Sequence, residues 1–163
     1  MGCDIHSVAI DANGKPIDGG IWADCVTDNP YYNEGEPFGN RNYSVFGFLA
    51  GVRNYSAVQP ISEPRGLPKD FSCNDIDGGD WLGDHSFSWL SLAELEAFNY
   101  EGMMEDRRYT GHHPIGFISG AMTADPGRGA AMTWREFLGE DFFKDIAELR
   151  RIGADRVVFG FDS

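Results

Sequence analysis

A chain of 163 residues with 42% hydrophobic content, 12 Phe and 4 Trp is large enough to bury a core without disulfides or metals and is expected to form one domain. A net charge of −13 disfavours general binding to nucleic acid or to anionic membranes through a broad basic surface. No apolar run approaches the roughly 18 residues that span a bilayer, and no signal segment is visible.

The first element is a strand over 3–11. Alternation puts Asp4, His6, Val8 and Ile10 on one face and Cys3, Ile5, Ser7 and Ala9 on the other. Asp4 and His6, about 7 Å apart by the rise per residue, are thus aligned with apolar positions. That arrangement predicts either the floor of a polar site or a hydrogen-bonded buried network. Asn13-Gly14 predicts a two-residue type I′ hairpin turn into a second strand near 15–26. Residues 27–41 read as a loop.

From Ser44 the period becomes helical, with Val45, Phe48, Leu49 and Val52 on one stripe, and Arg53-Asn54 is expected to end this helix. Loops punctuated by Pro and Gly follow. Ser91-Leu92-Ala93-Glu94 is a capping box that predicts a helix over 92–100. Residues 102–132 have no clear period and read as a long loop, with a short strand at 115–118 as an option. Thr133-Trp134-Arg135-Glu136 repeats the capping signal. A helix interrupted at Gly139 is expected to run to Arg151, with Gly153 as its stop. A final strand over 156–162 puts Val157, Phe159 and Phe161 on one face. The fold expected is α+β: a small, mostly antiparallel sheet of the N-terminal hairpin and the C-terminal strand, packed with about three helices. Asp162 would then come near the Cys3–His6 end.

Three groups of residues can carry chemistry. Asp4 and His6 form the first. The second is Trp81 through Trp89, where alternation would put His85, Phe87 and Trp89 on one side and Asp84, Ser86 and Ser88 on the other, just before a helix N-terminus. The third is the loop cations: Arg41 beside Asn42, Arg53 beside Asn54, and Arg65. Arg makes up ten of the thirteen basic residues and suits bidentate phosphate recognition. Asp4, His6, Asp84 and His85 are also ligand types for zinc, manganese or iron, although neither pair has a diagnostic metal spacing. No cofactor motif is present. Cys3, Cys25 and Cys73 lack zinc-site spacing and read as the reduced thiols of a cytoplasmic protein.

Met1-Gly2-Cys3-Asp4-Ile5-His6, Arg41-Asn42-Tyr43, Phe48 through Asn54, Pro64-Arg65-Gly66-Leu67-Pro68, His85 through Leu90 and Val157 through Asp162 together resemble a group of small proteins encoded by tailed bacteriophages and prophages. The resemblance is collinear and leaves 102–132 unmatched. Related sequences often read His-Ser-His-Ser-Trp where this chain has Phe87, which weakens the metal alternative. The resemblance implies action in the host bacterial cytoplasm. By analogy with small phage proteins that counter host defence, the expected function is capture of a nucleotide-type immune signal, a cyclic nucleotide or an ADP-ribose derivative, by a homo-oligomer. Trp81 or Trp89 would stack on the base and Arg41, Arg53 and Arg65 would meet phosphates. Asp4, His6, His85, Ser86 and Ser88 would read ribose or base edges, with Asn42 and Asn54 beside the cations. The rival is a nucleotide phosphodiesterase using Asp4, His6 and His85 as acid/base groups. A third reading is an acidic inhibitor of a host enzyme.

Overall fold

A computed structural model describes residues 2–17, 36–71, 82–110, 113–114 and 123–162. The remainder of the proposed second strand after residue 17, Cys25, Cys73, Trp81, His112 and the 115–118 strand lie outside the described residues. The fold is α+β, with four helices among the described residues. It divides into two compact units, one of residues 1–41, 64–98 and 141–163, the other of residues 42–63 and 99–140.

The first unit holds a three-stranded antiparallel sheet of β1 (Ile5–Ile10), β2 (His85–Ser91) and β7 (Arg156–Phe161), in the order β1-β7-β2. The register sets Ile5 opposite Phe161, His6 opposite Gly160 and Val8 opposite Val158. Antiparallel partners share a face. One face therefore carries Ile5, Ala9, Leu90, Val157, Phe159 and Phe161, none more than 3% exposed. The other face is covered by a smaller cluster of Ile10, Phe71, Leu82 and Val158, with Val8, Phe87 and Trp89 packed against it and partly exposed. Helix α2 (Leu92–Ala97) starts from the predicted capping box, in which Ser91 accepts from the Glu94 amide and Glu94 from the Ser91 amide. It ends at Ala97 rather than at residue 100, because Phe98 turns to extended backbone. Helix α4 (Glu140–Arg151) buries Phe142, Ile146 and Leu149 and stops before Gly153, at φ 77°.

The second unit contains α1 (Tyr43–Ala50) and α3 (Trp134–Leu138), the pair β3 (Met103–Asp106) with β6 (Ala130–Thr133), and the short pair β4 (Tyr109–Thr110) with β5 (His113–Pro114). Residues 102–132 are thus not one long loop. Their ladder pairs residues 24 to 30 positions apart, from Asp106 with Ala130 to Met103 with Thr133, and no local period announces it. Helix α1 ends three residues before the predicted Arg53, because Gly51 takes the left-handed φ of 71° and its amide donates to the Gly47 carbonyl. Gly139, at φ 83°, separates α3 from α4 as the sequence predicts.

The chain turns at Asn13-Gly14, but the turn is shifted by one residue, with Ala12 and Asn13 at its centre, and it is not type I′. Gly14 alone has positive φ, and its amide closes a four-residue turn on the Asp11 carbonyl. The Asp11 carboxylate accepts from the amides of Asn13 and Lys15 and so fixes the bend.

Candidate functional site

At the open end of β1, the sheet register brings Asp4, His6 and Asp162 to one face, where they meet two side chains of the 36–41 segment. The Arg41 guanidinium forms a two-pronged ion pair with Asp4, Nε to Oδ1 and Nη2 to Oδ2, both 2.6 Å. It lies so close over Gly2 that any side chain at that position would displace it. Asp4 and Asp162 are joined by two hydrogen bonds. The Asp4 amide donates to Asp162 Oδ1 at 2.9 Å, and the Asp162 amide donates to the Asp4 carbonyl at 3.1 Å. The second Asp162 oxygen, Oδ2, lies 2.9 Å from His6 Nε2. Glu36 reaches the other side of the ring, with Oε1 3.7 Å from His6 Nδ1, while its Oε2 accepts from the Ser7 amide at 3.0 Å.

These contacts assign the imidazole. Burial pushes the Asp162 carboxyl up, but the His6 hydrogen bond, the Asp4 amide and the charges of His6 and Arg41 outweigh it and hold the group below the usual carboxylate range. An ionised Asp162 only accepts, so His6 Nε2 carries the hydrogen. In the neutral ring Nδ1 then presents its lone pair toward Glu36. Glu36 is 13% exposed, and burial raises it from 4.5 to about 7 against the opposing pull of the Ser7 amide and His6. A carboxylic acid that releases its proton near neutrality therefore stands beside an imidazole nitrogen able to receive one.

Glu36 also sets a pH dependence. Its folded value lies above the unfolded one, so between pH 4.5 and about 7 the folded chain holds a proton that the unfolded chain has released. The resulting stability is complete below pH 4.5 and is lost as the pH rises through about 7. The loss amounts to at most about 3 kcal/mol. Glu36→Gln is expected to flatten this slope, read as unfolding free energy by urea at pH 5 and pH 8. An unchanged slope would remove Glu36 from the titration.

The residues predicted to join this cluster have other engagements. Arg65 forms a two-pronged pair with Glu94, which this guanidinium holds down to about 2. Arg65 also lies 4.8 Å over the Trp89 ring, with Arg156 5.8 Å from the same ring and paired in turn with Asp70. Trp89 is thus stacked by the protein's own cations. Ser88 is buried and its hydroxyl accepts from the Arg65 amide. Asn42 is the N-cap of α1, its side chain accepting from the amides of Ser44 and Val45. Asn54 binds both the amide and the carbonyl of Val58, and Arg53 donates to the Tyr55 hydroxyl, both within the second unit.

His85 does not share the face of His6. Strand β2 carries a bulge between His85 and Ser88, with Ser86 at φ 54°. His85 therefore pairs with Phe161 on the buried face, stacks on that ring at 6.2 Å and contacts the Ser86 hydroxyl at 2.9 Å. The simple alternation expected over 84–89 fails at this bulge. Asp84 is exposed, and its amide donates to the Phe161 carbonyl. Among the described residues no three His, Cys, Asp or Glu side chains gather as a metal site, so the four-ligand alternative of Asp4, His6, Asp84 and His85 is not assembled.

Glu36 is the member of the cluster that sequence reasoning missed. It lies in an aperiodic loop, and no spacing links it to β1. Among the described residues no helix is long and apolar enough to cross a membrane. Comparison with family models, curated proteins and solved structures finds no match for this chain.

Proposed function

We propose that this chain acts on a small nucleotide-type signal by proton transfer at His6, as a hydrolase, with Asp162 orienting the ring and ionised Glu36 beside it. One observation carries the reading: the carboxylate–imidazole–carboxylate array, 2.9 Å from Asp162 to Nε2 and 3.7 Å from Glu36 to Nδ1. His6 side-chain exposure of 26% leaves the ring reachable from solvent. Asp162 selects the tautomer. Nδ1, beside ionised Glu36, takes a proton from the attacking water as its oxygen bonds to phosphorus and the ester P–O bond breaks. That proton then passes to the leaving oxygen.

The nucleotide class, the phage setting, action in the host cytoplasm and a homo-oligomeric state rest on the resemblance and on analogy. Capture without turnover is weaker than the sequence alone suggests, because Arg41 and Arg65 already grip carboxylates. A bound phosphate would have to displace Asp4 or Glu94.

Incubating the protein with cyclic dinucleotides and ADP-ribose-type cyclic nucleotides, then denaturing it and separating the ligands by chromatography, tests the proposal. A cleaved product supports hydrolysis. Ligand that binds and returns intact overturns hydrolysis in favour of sequestration. No binding to any ligand at high concentration overturns both.

A further inference from the structure

Strand β2 brings an aromatic ring to the same face as His6. Phe87 and Trp89 share a face, and Trp89 pairs with Val158, so Phe87 lies on the face of His6 while the bulge turns His85 to the other. The residue paired with His6 across the sheet is Gly160. A Cβ built on Gly160 would lie 2.7 Å from Phe87 Cδ1 and 3.0 Å from Cε1, and would overlap the Leu82 carbonyl. The place of a cross-strand neighbour, about 5 Å from the His6 Cβ, is therefore filled by the Leu82 carbonyl and the edge of the Phe87 ring. That ring is packed from below on the Ile10, Phe71, Leu82 and Val158 cluster yet stays partly exposed.

Three departures from regular strand structure converge here: a non-glycine residue at positive φ, a bulge, and a glycine that admits an aromatic ring over the central strand. Bulges that re-aim a side chain are frequent beside functional sites, and a backbone outlier points toward function when its effect is local and specific.

We infer that Phe87 is the specificity-determining wall of the His6 site, a flat apolar surface on which the planar ring of a nucleobase stacks while its polar edge faces the Asp162–His6 array. This inference rests on the reading of His6 as the reacting group. It also replaces Trp89, whose ring is already covered by guanidinium, as the stacking residue. Base–aromatic stacking tolerates any base, so the wall selects a ring and leaves the choice among bases to the polar groups.

The test is NMR on the labelled full-length chain titrated with adenosine, with ribose as the non-planar control. Adenosine is expected to shift the Phe87 ring and His6 imidazole signals, and ribose at the same concentration to shift neither. Phe87→Leu is expected to weaken adenosine binding about tenfold, the scale of one stacked base, without changing the His6 tautomer. Phe87→Tyr, which keeps the ring, is expected to retain binding.

Adenosine shifts confined to other residues, equal shifts with ribose, or undiminished binding by Phe87→Leu would overturn the inference. Should Phe87→Leu fail to fold, the wild-type shift map and Phe87→Tyr still decide. Adenosine bound at Phe87 without turnover of any nucleotide sinks the hydrolase reading alone. Turnover without a Phe87 shift sinks the wall alone.

Discussion

Asp162→Asn is expected to reduce nucleotide turnover on the order of 10²-fold or more while leaving the melting temperature within a few degrees of wild type. The replacement is nearly isosteric, and the main chain dictates how the new amide must sit. The Asp4 amide donates to Oδ1 at 2.9 Å, so the amide oxygen takes that place and the NH₂ group faces His6 Nε2. A donor there forces Nε2 to become the acceptor and moves the ring hydrogen to Nδ1, which can then no longer take a proton. Asp162 is 40% exposed, and competition from water makes the loss smaller than in a buried triad. Imidazole ¹⁵N shifts report the tautomer directly and separate this effect from a structural one. Undiminished turnover, or an unchanged tautomer, would sink the orienting role. His6→Gln is the companion variant and is expected to lose at least as much, because it removes the exchanging group itself.

Gly160→Ala has the largest expected effect on stability, about 3 kcal/mol or roughly 10 °C in melting temperature. Gly160 is not among the glycines with positive φ, so the cost is steric rather than conformational. The added methyl would meet the Leu82 carbonyl and the Phe87 ring, and the first of these is backbone that cannot swing aside. Phe87→Ala in the same chain is expected to recover only part of the loss, since the Leu82 carbonyl remains. Gly66→Ala supplies the contrast. Its φ is 77° and nothing lies within 4 Å of the added atom, so only left-handed backbone strain of about 1 kcal/mol is expected. If the two alanine variants melted alike, the close packing of Phe87 over β7 would be refuted.

The arginines explain why a sequence rich in candidate phosphate ligands yields a different site. Arg41 and Asp4 are 37 residues apart, Arg65 and Glu94 are 29 apart, and Arg156 and Asp70 are 86 apart. In a chain with twice as many acidic as basic residues, 26 against 13, a loop cation meets a carboxylate more readily than it stays open for a ligand. Nothing in the spacing around Arg41 or Arg65 reveals which carboxylate that is.

Features set by a few neighbouring residues are legible in this sequence. The alternation of β1, the capping box at Ser91, the break at Gly139, the stop at Gly153 and the terminal strand all follow from local geometry. So does the face shared by Asp4 and His6, and with strands at both ends, the approach of Asp162 to it. The tertiary structure alone decides what surrounds that face. Glu36 arrives from an aperiodic loop and acquires its raised pKa only on burial, a property no isolated residue has. The bulge at Ser86 turns His85 to the buried face and parts it from Phe87 and Trp89, with which alternation groups it, because one left-handed residue moves the side chain before it to the other face. Sequence determines where the acid–base pair begins, and packing across the sheet determines its partners and its wall.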